Sequence, residues 1–139
     1  MEKTLEKMMK FSIGSIGYSL LELLWRGYTH WSMMITGGFL LCSLSDMFKG
    51  MGKRSILYKA LCGAFAITIT EFIVGIVTNK VFKMDVWDYS AERFNVLGQI
   101  CLKYFLLWGL LSVPTIFCIR GIDKGMKILL PKGNWTSII

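Results

Sequence analysis

From Ala60 to Asn79 the chain reads ALCGAFAITITEFIVGIVTN, twenty residues with one charged side chain, Glu71, near the middle. As a helix rising about 1.5 Å per residue, such a run reaches across the ~30 Å hydrocarbon core of a bilayer. Three further apolar blocks share its character. The patterning predicts one domain over 1–139, with spans over 11–30, 33–48, 57–81 and 96–119 and a cytoplasmic tail over 120–139. Hydrophobic residues make up 54% of the chain and the mean hydropathy is +0.53. They are grouped in long blocks, which favours a membrane domain over a soluble core. The expected fold class is all-α: a polytopic integral membrane protein of four transmembrane helices in the plasma membrane.

Charge sets the expected orientation. The net charge is +7, and the basic residues sit mainly between the blocks. Nucleic-acid binding would need a basic face on a soluble fold and is not expected; a basic border against the lipid bilayer is the simpler reading. The N-terminal stretch, the loop Lys49–Lys59 and the tail carry eleven Lys and Arg. The other two loops, with Arg26 included, carry four. This bias places both termini in the cytoplasm and argues against a dual-topology dimer. Met1–Lys10, with its interleaved Leu, Met and Lys, is expected to lie along the cytoplasmic interface. A short amphipathic piece of the tail should end at Pro131.

Several functions find no motif. The four cysteines, Cys42, Cys62, Cys101 and Cys118, fall singly in apolar segments, so neither a zinc site nor a disulfide framework is indicated. One histidine cannot build a His-His metal centre, and no GxSxG occurs. The loop KGMGKRSILYK resembles a phosphate loop but lacks GxxxxGK[ST]. No catalytic residue, metal or cofactor is assigned.

Charges inside the blocks are the candidate site. Glu22 and Arg26 stand four apart in the first span, acid before base, as an internal pair requires. Glu71 lies midway along the third span, with Thr68, Gly75 and Thr78 on its face and Asn79 beside them. Asn95, Gln99 and Lys103 recur at steps of four and are expected on one face of the fourth helix. Each isolated mid-helix charge costs about 2.5–3.5 kcal/mol, so four unpaired ones cost on the order of 10 kcal/mol. Meeting in a polar centre open to the outside removes most of that cost. His30, Trp31, Asp88 and Tyr89 would border its mouth. In the blander readings, Glu22–Arg26 fixes helix register, Lys103 snorkels outward and His30 is structural. Small residues Ser12, Gly14, Ser15, Gly17 and Ser19 in the first span, and Gly37 and Gly38 in the second, suit close helix packing. Pro114 should kink the fourth helix.

The motifs Trp87-Asp88-Tyr89-Ser90, Phe94-Asn95, Gly98, Ile100-Cys101-Leu102 and Trp108-Gly109 resemble those of a family of small bacterial membrane proteins. These are the putative ABC-transporter type IV, or CmpB-like, permeases. Glu71 on the preceding helix and Glu22 ahead of Arg26-Gly27 are similar too. The likeness is strongest in the second half of the chain. Tyr28-Thr29-His30-Trp31-Ser32 stands where the family carries Gly-Pro and Pro-Ile-Tyr-Gly. The resemblance implies transport by a small permease and, through its label alone, an ABC ATPase subunit as partner. A cytoplasmic loop of about eleven residues offers such a subunit little surface. Four spans are few for a permease, so enclosing a large path would need a homo-oligomer. The leading expectation is a transporter-like protein with an outward-open pocket. In it, Glu71 and Glu22 would bind a cation or proton, Arg26 and Lys103 would be charge partners or anion contacts, and Asn95, Gln99 and Asp88 would line the mouth. A membrane enzyme acting on a lipid or polar headgroup, and a non-transporting accessory or scaffold subunit, stay open as alternatives.

Overall fold

Apolar blocks closed by capping residues become four helices in a computed structural model, which describes residues 2–130. They are α1 (Glu2–Arg26), α2 (Trp31–Gly50), α3 (Ile56–Gly75) and α4 (Leu102–Leu129). Gly27, at φ +80°, ends α1 by donating its N–H to the Leu23 carbonyl at 2.9 Å. His30 caps α2 through its ring, and the Ser55 hydroxyl caps α3 by accepting from the Tyr58 N–H at 3.2 Å. α3 runs on into a π-helical turn over Ile76–Val81. Ile56–Val81 and Leu102–Leu129 are each long and apolar enough to cross a membrane.

The helices pack mainly as two pairs, α1 on α2 and α3 on α4. Small residues set the first contact. A methyl at Gly14 would lie 2.5 Å from the Gly37 carbonyl oxygen, and one at Gly38 would lie 2.7 Å from Phe11. Backbones can come this close because nothing larger intervenes. Leu40, Leu44 and Phe48 of α2 meet Ile67 of α3 and Ile116 and Ile119 of α4 in the central cluster. A smaller cluster of Met33, Val86 and Trp87 fixes the α3–α4 loop against α2.

The N-terminal stretch, from Glu2 onward, is helical and continuous with the rest of α1, and Lys10 is 2% exposed. One expectation is corrected. The fourth helix begins at Leu102 and not at Val96, so Asn95, Gln99 and Lys103 do not share a helix face. The residues before it form a tight hairpin, β1 (Asn95–Val96) paired antiparallel with β2 (Ile100–Cys101). The Asn95 amide donates to the carbonyls of Glu92 (2.8 Å) and Ser90 (3.2 Å), and its oxygen accepts from the Gly98 N–H at 3.1 Å. Local side-chain bonds of this kind give the backbone an alternative to the helix. Gly98 closes the turn at φ +69°, where a methyl would meet Ser90 Oγ at 2.6 Å and Asp88 Oδ1 at 2.8 Å. α4 then passes Pro114 without ending and continues ten residues past the expected boundary at 119. Pro131 lies outside the described residues.

Candidate functional site

Tyr18, Glu22, Trp25 and Arg26 recur at helical spacing on the last turns of α1. Tyr104, Leu107, Trp108 and Leu111 do the same on α4. With Leu21 and Tyr89 they line a half-open cleft of about 170 Å³. At its inner wall, Tyr18 and Trp108 stack with centroids 5.8 Å apart. Both turn their polar tips onto Glu71. The Tyr18 hydroxyl donates to one carboxylate oxygen at 2.7 Å, and the Trp108 ring N–H donates to the other at 2.9 Å. Glu71 itself is 3% exposed. Neither bonded partner is charged, so its hydrogen bonds are met and its charge is not cancelled by contact. Buried carboxylates are ordinarily paired with a cation, and this arrangement is the exception.

The outer wall is also aromatic. Tyr89 and Tyr104 stack with centroids 4.4 Å apart, and the Trp25 ring N–H donates to the Tyr104 hydroxyl at 3.2 Å. Arg26 is fully engaged at the rim. It pairs with Glu22, donates to the Val86 carbonyl at 2.9 Å and lies 4.7 Å over the Tyr28 ring.

The expected meeting of four charges divides into separate groups. Glu22 and Arg26 form a pair at the rim, and Glu71 sits behind the inner wall. Lys103 joins neither ion group: its side chain is 56% exposed, pairs with Glu92 at 3.1 Å and lies 5.3 Å over the ring of Tyr104 in the outer wall. The remaining candidates hold the loop. Gln99 is buried, accepts from the Asn79 amide at 2.8 Å and donates to the Leu97 carbonyl at 2.9 Å. Asn79, turned inward by the π-helical turn, accepts from the Val86 N–H at 2.7 Å. Gly75 is required beside this knot, because a methyl there would lie 2.6 Å from the Gln99 side-chain oxygen. Asp88 accepts from both the backbone and the hydroxyl of Ser90, and those bonds hold its carboxyl below the ordinary range. His30 bonds Ser32 Oγ at 2.7 Å and accepts from the Ser32 N–H as the α2 cap. Asn95 closes the hairpin. These five, Asn95, Gln99, Asp88, His30 and Lys103, are thus loop, cap and surface residues.

Sequence reasoning expected Tyr89 at the mouth, where it lines the cleft, but missed the rest of the aromatic wall. Its signal was the run Tyr18, Glu22, Trp25 and Arg26 beside the four-residue step from Tyr104 to Trp108. It also missed a second charged cluster at the other end of α1. There Lys10 lies 2.6 Å from Glu6, 2.8 Å from Asp123 and 2.7 Å from the Ser45 hydroxyl, while Lys49 lies 2.9 Å from Glu6. Burial works to raise the Glu6 pKa, but contact with Lys10 and Lys49 outweighs it and holds the carboxyl below its ordinary value. Glu6 with Lys10 and Ser45 with Lys49, each four apart, were the available sign.

A family model described as "Putative ABC-transporter type IV" matches residues 9–138. No curated protein and no solved structure matches the chain.

Proposed function

The chain belongs to the putative ABC-transporter type IV family, and on that premise we propose that it is a small transporter-like membrane protein. Its ligand enters the cleft between α1 and α4. One observation carries this reading: the two side chains that hold the buried Glu71 carboxylate, Tyr18 and Trp108, also form the inner wall of the cleft. Anything occupying the cleft touches the groups that position Glu71. A concave, mostly apolar pocket with a few convergent polar groups is the usual form of a ligand site. Within it Glu71 serves a cation or proton, and the Glu22–Arg26 pair shapes the entrance.

All four helices cross the membrane in this reading. Exposed apolar residues recur at helical spacing on each of them: Ile13, Ile16 and Leu20; Ile35 and Phe39; Leu61, Phe65, Ile69 and Ile73; Leu102, Leu106 and Leu110. Such faces suit lipid contact. At about 1.5 Å per residue, even the 20-residue α2 reaches ~30 Å. The cytoplasm holds both termini and the basic loop after α2, and the cleft opens outward. The cytoplasmic turn between α2 and α3 is short, so an ABC ATPase partner would need a second copy of this chain or another subunit to complete its seat.

Uptake tests this directly. Proteoliposomes carrying the wild-type protein should accumulate a transported solute, and Glu71→Gln should abolish accumulation while the protein melts normally. Unchanged uptake by Glu71→Gln overturns the role of Glu71. For orientation, a cysteine at Ser90 should be modified by an impermeant reagent in intact cells, and one at Lys124 should not. The reverse pattern would place the cleft on the cytoplasmic side.

A further inference from the structure

We infer that the cleft between α1 and α4 takes a small organic cation, an ammonium carrying alkyl groups. The inference rests on the transport reading and names its substrate class. Aromatic rings dominate the walls: Tyr18 and Trp108 inside, Trp25, Tyr89 and Tyr104 outside. Tyr104 already stacks on Tyr89 and has the Lys103 ammonium 5.3 Å from its centroid, so the cation contact falls to Tyr18, Trp108 and Trp25. Aromatic faces attract cations, most strongly where water is excluded. Three of the polar tips on these rings are already committed. The Tyr18 hydroxyl and the Trp108 ring N–H serve Glu71, and the Trp25 ring N–H serves Tyr104. What faces an occupant is therefore mainly ring carbon, backed by a carboxylate.

The charge at the cleft has a sign. Glu22 is cancelled by Arg26, whereas the bonded partners of Glu71 are both neutral. Whenever Glu71 is ionised, its carboxylate leaves a net negative field at the inner wall. An anion would meet that field and the negative faces of the rings. The guanidinium that could have welcomed it is held by Glu22, the Val86 carbonyl and the Tyr28 ring. A bare divalent cation seeks six or more oxygen ligands, which a wall of ring carbon does not offer. A volume of about 170 Å³ leaves room for an ammonium bearing a few carbons. The same chemistry is found in a free solute and in the headgroup of an amine-bearing lipid.

The experiment uses the full chain in nanodiscs of phosphatidylglycerol, which carries no ammonium, and follows tryptophan fluorescence. Tetramethylammonium and choline should each produce a saturable change. The uncharged tert-butyl isostere of choline should bind at least roughly tenfold more weakly, as loss of a desolvated cation–aromatic contact implies. Trp25→Leu, at a residue that is 63% exposed, should fold and should weaken both cations by roughly the same factor. Glu71→Gln should weaken them as well. Repeating the titration in phosphatidylethanolamine separates the two sources. Loss of tetramethylammonium binding there identifies the lipid headgroup as the occupant, and unchanged binding identifies a free ammonium. Equal affinity for the uncharged isostere, or acetate binding in place of the cations, overturns the ammonium assignment while leaving transport standing. If folded protein shows no saturable change with either cation, the assignment is likewise overturned. Uptake of some other solute, lost in Glu71→Gln, would then still support transport.

Discussion

The two ends of α1 bury charge in opposite ways. At the N-terminal end, Lys10 is enclosed by Glu6, Asp123 and Ser45, with Lys49 completing the group. Three helices are tied there by ions that answer one another. At the C-terminal end, Glu71 is as deeply buried, yet only a tyrosine and a tryptophan hold it, and a cleft lies beside them. Opposite charges that answer one another hold helices in register, even with a cavity of about 220 Å³ beside Glu6, Lys10 and Lys49. A carboxylate bonded only to neutral donors has no cation in contact with it. The first arrangement fastens the bundle; in the function proposed above, the second answers to an occupant of the cleft.

The sharpest way to break this contrast is at the first end. Replacing the buried Lys10 by methionine strips the half-buried Glu6 and Asp123 of their nearest cation and should cost about 3 kcal/mol, the low end of the scale for breaking a buried pair. Thermal melting in detergent measures it. A neutral effect would mean that the network does not fasten α1 to α2 and α4. Gly37→Ala comes next. A methyl there meets Tyr18, so α1 and α2 must separate, at about 1–3 kcal/mol. Because Tyr18 also holds Glu71, this change should weaken ligand binding too, which joins the two ends through packing.

Acid should act on the fastening end more gently. The Glu6 carboxyl lies below its ordinary value in the folded protein, so its contribution is present above the unfolded pKa near 4 and is lost as pH falls through the lower folded value. Melting temperature should therefore decline below about pH 4. Glu6→Gln should lessen that decline. An identical acid profile in the variant would assign the loss to other groups.

Much of the architecture was readable before any coordinates. The apolar blocks at 33–48 and 57–81 fall within α2 and α3 with its π-helical turn, because long apolar runs bounded by His30 and Ser55 leave few alternatives. The block at 11–30 overlaps α1, which starts earlier, at Glu2, and stops at Arg26 because Gly27 takes a left-handed turn. The start of α4 was not readable from spacing alone. Asn95 and Gln99 stand four apart and look helical, but their amides bond neighbouring backbone and Asn79 instead, and Gly98 admits the left-handed turn. Glu71 stood out because it is one acid in an apolar run. Its partners did not. Tyr18 and Trp108 are distant in sequence from Glu71, and any buried aromatic can look like packing. The family-like motif around Trp87 to Gly98 proves to be the scaffold of the loop. The Trp87 ring N–H donates to the Gln99 carbonyl at 2.9 Å, and Asp88, Asn95 and Gly98 close the turns.

The smallest expected effect on stability is at Glu71, and it carries the central claim. Glutamine keeps the shape and one acceptor for Tyr18 or Trp108, so Glu71→Gln should change folding stability by no more than about 1 kcal/mol. Melting and ligand binding measured on the same nanodisc preparation decide the matter. A normal melt with binding lost agrees with a carboxylate kept for the occupant of the cleft. A collapsed melt, or binding unchanged in a normally folded variant, would contradict it.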